Sequence, residues 1–107
     1  MPAFIFATGL PKGKVEHLAA ARKRTAMLID GAHHCRELTT ISMVSTIMMK
    51  FIHGYVHYNK DKQTAPKYAK MYVDLLSKHS MIFMPIVNVD GFTTIDQVYA
   101  KTGKLVY

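Results

Sequence analysis

The chain has 107 residues, with 14 Lys and Arg against 7 Asp and Glu, and therefore a formal net charge of +7. Half of the residues are hydrophobic and a fifth are charged. This composition is typical of one globular domain or part of one, and it excludes disordered and collagen-like sequences. A single cysteine, Cys35, excludes an intramolecular disulfide framework.

The positive charge does not indicate a nucleic-acid partner. Only three of the basic residues are arginines, and no aromatic side chains interleave with clustered arginine. The most apolar stretch, residues 41–56, is interrupted by Ser, Thr, Lys, His and Gly, so we expect neither a membrane span nor a membrane partner. No secretory signal is visible, because the first residues lack a basic region and their apolar run is short.

The first third of the chain predicts two strands. Ala3–Thr8 is a short β-type run that ends in a turn at Gly9–Pro11. Residues 12–24 form a polar, basic connection, with a helical turn predicted at Val15–Ala21. Ala26–Ile29 is continuously apolar, which favours a central strand covered on both faces.

The middle of the chain predicts two helices. Apolar residues recur at three- and four-residue steps from Ile41 to Val56, so we expect a long helix that fades near Tyr58 and Asn59. Thr39 or Thr40 is the predicted N-cap of this helix. Pro66 suits the first position of a second helix, whose apolar stripe runs from Tyr68 to Leu76.

Strand character returns at Met81–Val87, and the segment Asn88–Gly91 predicts a turn that ends this strand. Thr93–Val98 and Leu105–Tyr107 are predicted to be short β-type or irregular pieces. The order strand, helix, helix, strand is that of an α/β fold.

The segment Asp30–Leu38 carries the residues best suited to chemistry. It follows the predicted central strand and precedes the long helix, which is where sites gather in open α/β sheets. His34 and Glu37 are three residues apart, so their side chains turn to the same side. Imidazole and carboxylate are zinc ligands, and a catalytic zinc needs a third protein ligand as well. The alternative is that Glu37 charges the helix N-terminus and His34 packs in a loop.

The other histidines and the cysteine have simpler interpretations. His53 and His57 have metal-binding i,i+4 spacing, but no carboxylate or thiol stands beside them, so we interpret them as surface or partly buried histidines. His33 is expected to point away from His34 and to be hydrogen-bonded. Cys35 is interpreted as a small buried residue, with a nucleophilic thiolate as the alternative.

Two motifs together resemble the M14 family of zinc carboxypeptidases, the carboxypeptidase A type. Gly-Ala-His-His-Cys-Arg-Glu-Leu-Thr, from Gly31, is similar to the family's first zinc-binding segment. Met84-Pro-Ile-Val-Asn-Val-Asp-Gly-Phe92 resembles the family strand that ends in Asn-x-Asp-Gly-aromatic. The motifs occur in the family's order and support the resemblance over residues 25–94. It implies that residues 1–107 are the N-terminal part of an M14 carboxypeptidase A domain.

The resemblance implies a site and a fold. His34 and Glu37 correspond to the family's first two zinc ligands, and Arg36 to an arginine that lines a substrate subsite. Asn88, Asp90 and Gly91 correspond to a structural turn. The implied cofactor is Zn²⁺, and the implied substrates are peptide or protein C-termini. The implied fold is part of a mixed β-sheet with helices on both faces, a truncated three-layer sandwich.

The family's third zinc ligand and its catalytic Glu lie further along the chain than Tyr107, so no catalytic residue is assigned here. We therefore expect these 107 residues to be part of a zinc metallocarboxypeptidase and to be inactive in isolation. The alternative is a non-catalytic carboxypeptidase-like binding module. A small basic nucleic-acid-binding protein is a third, less favoured interpretation.

Overall fold

The structure, a computed structural model, describes residues 3–11 and 13–104. Within them, three strands and four helices follow one another, which confirms the α/β class. In chain order they are β1 (Phe4–Phe6), α1 (Lys14–Arg22), β2 (Ala26–Asp30), α2 (Leu38–Lys60), α3 (Ala69–Lys78), β3 (Ser80–Met84) and α4 (Val89–Thr102).

The three strands form a mixed sheet in which β3 is central. β1 pairs with β3 antiparallel, β2 pairs with β3 parallel, and the order is β1-β3-β2. The prediction that Ala26–Ile29 is a central strand covered on both faces is therefore wrong. Met27 and Leu28 are each 53% exposed, because β2 lies at the edge of the described sheet.

The core lies on one face of β3. Phe83 and Met81 point to this face and are almost fully buried. They pack against Val44 and Phe51 of α2 and against Leu76 of α3. The ring of Phe83 also contacts the rings of its neighbours edge-on, with centroid distances of 5.6 Å to both Phe6 and Phe51.

The opposite face of the sheet is also apolar. The strand register places Ile5, Ile82 and Leu28 side by side there, since directly paired residues share a face. Ile5 and Leu28 are exposed, and Ile82 is half-buried. The mixed sheet is thus confirmed, and helices α2 and α3 pack against β3. The complete three-layer sandwich stays a prediction.

Helices α2 and α3 confirm the two predicted helices and pack against each other, although α3 begins at Ala69 and not at the predicted Pro66. Gly54 of α2 is buried, and a Cβ at this position would lie 3.4 Å from Ala69 Cα and 2.9 Å from the Tyr72 ring. The N-cap of α2 is Glu37, two residues earlier than the first predicted threonine. Among residues 3–11 and 13–104, no helix combines the length and the apolarity that a membrane crossing requires.

Helix α1, Lys14–Arg22, confirms the predicted helical turn at Val15–Ala21 and is one residue longer at each end. Arg24, just after α1, connects the turn after β1 to α3 through hydrogen bonds. Its Nη1 donates to the carbonyl oxygens of Thr8 and Leu76, at 2.9 and 3.2 Å. The buried Ser80 hydroxyl donates to the carbonyl oxygen of Ala21 at 2.8 Å. The polar connection therefore packs against the core elements.

Helix α4 contradicts the sequence-based expectation for the last part of the chain. Residues 93–98 are helical, although we predicted short β-type or irregular structure there. Asn88 caps the helix, and Gly103, at φ 65°, ends it in the left-handed conformation. Strand β3 ends at Met84, before Pro85, and so is shorter than predicted. The predicted piece at Leu105–Tyr107 lies outside the described residues.

The carboxylate of Asp61 shapes the turn between α2 and α3. Its Oδ1 accepts from the Gln63 backbone N–H at 2.9 Å, and its Oδ2 accepts from the Thr64 hydroxyl at 2.8 Å. The Gln63 N–H, followed by the Thr64 hydroxyl, lowers the pKa of Asp61 below its ordinary value of 3.8. The folded chain therefore favours the ionised carboxylate.

We expect Asp61→Ala to destabilise the chain at neutral pH and to have a diminishing effect in acid. Because the pKa of Asp61 is lower in the folded chain, its stabilisation is present above pH 3.8 and is lost as the pH falls through the lower folded value. Urea unfolding of both chains from pH 2 to pH 7 measures this difference. A gap between them that stayed constant across this range would contradict the assignment.

Candidate metal centre

The loop that carries the first motif lies at the carboxyl end of the parallel strand pair. It joins β2 to α2 and is attached on one side to the segment after β3. The Gly31 N–H donates to the carbonyl of Met84 at 3.1 Å, and the Val87 N–H donates to the carbonyl of Gly31 at 3.0 Å. The Asn88 N–H donates to the carbonyl of Ala32 at 3.0 Å. The two sequence motifs are thus in direct backbone contact.

His34 and Glu37 lie side by side on this loop, as the spacing predicts. His34 Nδ1 and Glu37 Oε1 are 3.0 Å apart, and Glu37 Oε2 also accepts from the His34 backbone N–H at 3.4 Å. Their side chains are 71% and 41% exposed. The pKa of Glu37 is lowered mainly by the hydrogen bond from the His34 side chain, so the carboxylate is held in the ionised form that a metal requires.

The pair fits two neighbouring positions of a zinc site. Two ligands of a tetrahedral zinc, each bonded at about 2.0–2.2 Å, lie about 3.4 Å from each other. The observed separation of 3.0 Å is close to that value. No third His, Cys, Asp or Glu joins the pair among residues 3–11 and 13–104. These residues therefore supply two ligands at most.

Thr40 holds the loop in shape. Its hydroxyl donates to the Glu37 carbonyl at 2.6 Å and accepts from the Ala32 N–H at 2.8 Å. Ala32 is buried and has a φ of 50°, a left-handed conformation that costs a non-glycine residue about 1–2 kcal/mol. The sequence suggested Thr40 only as an N-cap. Its bridging role depends on a folded loop that local patterns do not show.

We expect Thr40→Val to lower the stability of the loop between β2 and α2, residues 31–37, which we call the metal loop. The substitution keeps the side-chain shape but leaves the part-buried Ala32 N–H without its acceptor, at a cost of about 1–3 kcal/mol. Zinc affinity is expected to fall by roughly 10-fold or more, as with other residues that orient ligands. Denaturant unfolding and zinc titration measure the two effects. Thr39→Val, at the exposed neighbouring position, is the matched control, and an equal loss in that variant would contradict the role of Thr40.

The other side chains of the loop have different surroundings. The His33 Nε2 lies 3.2 Å from Asp30 Oδ1, so His33 contacts Asp30 while His34 contacts Glu37. The predicted hydrogen bond of His33 stays a prediction. Cys35 is half-buried rather than fully buried. Arg36 is exposed, so its guanidinium is accessible to a ligand from solvent. Its predicted contact with substrate stays a prediction.

The second motif caps a helix instead of simply ending a strand. The Asn88 Oδ1 accepts from the Gly91 N–H at 2.9 Å, which satisfies one of the free donors at the start of α4. A Cβ on Gly91 would approach the Asn88 amide within 2.8 Å, so a larger residue would displace the cap. Asn88 and Gly91 therefore form the start of helix α4, and the predicted turn at Asn88–Gly91 is wrong.

Comparison with known proteins identifies the class. The sequence profile of the zinc carboxypeptidase family, Peptidase M14, matches residues 8–104, and the chain belongs to this family. Two curated relatives, from Arthroderma benhamiae and Trichophyton verrucosum, are each named "Inactive metallocarboxypeptidase ECM14". Each is 33% identical over 85 residues, which cover 77% of this chain and 12% of the relative. No solved structure matches significantly.

Family membership confirms the resemblance seen in the sequence. It places the chain among carboxypeptidase-like proteins. The two relatives described above are both named as inactive. The chain spans about an eighth of the length of these relatives.

Proposed function

We propose that residues 1–107 are the N-terminal part of an M14 carboxypeptidase A domain and supply two of its zinc ligands, His34 and Glu37. The observation that carries this proposal is the 3.0 Å approach of an exposed imidazole and a carboxyl group in the loop between β2 and α2. Imidazole and carboxylate are the ligand types of hydrolytic zinc sites. A third ligand completes the site from outside the described residues.

The proposed activity of the complete domain is the hydrolysis of C-terminal amino acids from peptides and proteins. Zinc bound here would lower the pKa of a water molecule and polarise a carbonyl oxygen. His34 and Glu37 would hold the ion, and the backbone hydrogen bonds from Val87 and Asn88 keep their loop in place. Arg36 binds substrate, because an exposed guanidinium makes paired hydrogen bonds to carbonyl or carboxylate oxygens.

The second candidate function is that of a non-catalytic, carboxypeptidase-like binding module. It is favoured by one observation, the word "inactive" in the names of both matched relatives. The loop geometry is compatible with this function as well, because a zinc site without a general base binds metal and peptide but does not hydrolyse the peptide.

Zinc titration of the 107-residue chain by calorimetry tests the proposed ligands. We expect weak one-to-one binding that falls at least tenfold in His34→Ala and in Glu37→Gln, since each removes one of only two ligands. His33→Asn is the matched control, because His33 is adjacent in sequence and faces Asp30 instead. Equal affinity in all four chains would refute the assignment.

A peptidase assay separates the two candidate functions. The isolated chain is expected to release no C-terminal residue from an N-terminally blocked peptide in the presence of zinc. The complete protein that contains this chain is expected to release it if the enzyme proposal is correct. Zinc binding without hydrolysis by the complete protein would support the binding module instead.

A further inference from the structure

A second pair of candidate metal ligands lies on α2, outside the metal loop. His53 and His57 are one helical turn apart, and both side chains are exposed. Their rings approach each other to 4.1 Å between centroids, with an angle of 43° between the ring planes. Residues four apart on a helix share a face, so one ion can contact both rings.

The separation of the rings favours a particular coordination angle. A metal bonded at about 2.0 Å to a ring nitrogen lies about 3.1 Å from the centre of that ring. When both rings are turned toward one ion, ring centres 4.1 Å apart correspond to a nitrogen–metal–nitrogen angle of about 80–85°. This is close to the 90° of neighbouring ligands in a tetragonal site, which Cu²⁺ prefers, and well below the tetrahedral angle that zinc prefers.

Tyr68, the residue just before α3, contacts one of the two rings. Its hydroxyl lies 3.4 Å from His53 Nδ1, a long hydrogen-bond distance. A metal-bound histidine commonly donates its second ring N–H to an oxygen nearby, which fixes the tautomer and the orientation of the ring. With Nδ1 directed at the tyrosine oxygen, Nε2 of His53 is the nitrogen left for a metal.

One neighbouring charge opposes the binding of a cation. Lys50 lines a surface hollow together with His53 and Tyr68, and its ammonium lowers the affinity for every divalent ion alike. Selectivity therefore depends on the two imidazoles, which among divalent first-row ions bind Cu²⁺ most tightly.

We propose that His53 and His57 form a surface site for Cu²⁺, with the imidazoles in neighbouring equatorial positions and water completing the coordination. The site is independent of the metal loop, because it uses none of that loop's residues. It also stands apart from the proposed peptidase function, since its ligands are supplied by α2 alone.

Copper titration of the full chain in a background of His33→Asn, His34→Ala and Cys35→Ser tests this site, because these changes remove the imidazoles and the thiol of the loop between β2 and α2. We expect one Cu²⁺ per chain at about pH 8, where an ordinary histidine is neutral. Electron paramagnetic resonance of the complex is expected to show hyperfine coupling to two imidazole nitrogens. Zn²⁺ is expected to bind at least tenfold more weakly than Cu²⁺.

Three variants in the same background distinguish copper binding that requires both His53 and His57 from copper binding by any two histidines. His57→Asn is expected to lower copper affinity at least tenfold. The double variant His57→Asn, Tyr58→His keeps the number of imidazoles but turns the second one out of the shared face, and it is expected to lose as much. His79→Asn is the matched control and is expected to change affinity less than twofold.

Two results would overturn the proposal. One is unchanged copper affinity in the double variant, which would show that any two histidines suffice. The other is an equal loss in His79→Asn. Circular dichroism of each chain checks that helix content is retained.

Discussion

Phe83→Ala is expected to lower the free energy of unfolding by about 3–5 kcal/mol, the range for removing a large aromatic side chain from a core. Phe83 is 0% exposed and lies on the central strand. Its ring meets Phe6 of β1 and Phe51 of α2 edge-on, so truncation opens a cavity where strand and helix meet. A chain of this length has roughly 5–16 kcal/mol of stability in total, so the loss is a large fraction of it.

Chemical denaturation monitored by circular dichroism measures this loss. Phe83→Leu keeps most of the volume and is expected to cost less than half as much. Phe92→Ala is the matched control, since Phe92 is half-buried and lies on α4, away from the core cluster. A cost for Phe83→Ala no greater than that for Phe92→Ala would contradict the placement of the core.

Gly54→Leu is expected to lower the free energy of unfolding by about 2 kcal/mol. Even a Cβ at this position would lie 2.9 Å from Tyr72 Cδ2 and 3.4 Å from the backbone of Ala69. Tyr72 cannot move freely, because its ring stacks on Phe51 at 4.2 Å. Overpacking of this kind costs up to about 3 kcal/mol, and the better helix propensity of leucine offsets about 1 kcal/mol of it.

Thermal and denaturant unfolding of Gly54→Leu measure the effect. Val56→Leu provides the matched control, since Val56 lies on the same helix but is exposed. It is expected to change stability by less than about 0.5 kcal/mol. If Gly54→Leu were as stable as the control, the helices would not be in the close contact described above.

Local patterns were sufficient to predict most of the elements. The apolar spacing from Ile41 to Val56 predicted α2, and the stripe from Tyr68 to Leu76 predicted α3. Helix α4 was missed because its β-branched residues favour a strand. In the structure, Thr93 and Thr94 direct their hydroxyls to the carbonyl oxygens one turn earlier, and the caps at both ends support the helix.

The order of the strands could not be predicted from local patterns. A continuous apolar run such as Ala26–Ile29 is compatible with a buried central strand. It is equally compatible with an edge strand whose apolar side chains are exposed. The choice depends on which strand pairs with β3, and this pairing joins residues about 54 positions apart in the sequence.

The metal loop shows the same division between local and long-range information. The three-residue spacing of His34 and Glu37 was enough to predict that their side chains meet. The support of the loop by Thr40, Val87 and Asn88 was not predicted, because it requires contacts between three separate elements. The resemblance paired the two motifs, and the structure gives the physical reason in the hydrogen bond from Asn88 to Ala32.

The central position of β3 has a consequence for synthesis on the ribosome. β1 and β2 both pair with β3, which is the last of the three strands in the chain. No strand can therefore find its described partner until residues 80–84 have been made. At a synthesis rate of about 5–20 residues per second, the 74 residues from Phe6 to Ser80 take roughly 4–15 s. During that interval β1 and β2 lack their strand partner, and unpaired strands of this kind are prone to aggregation.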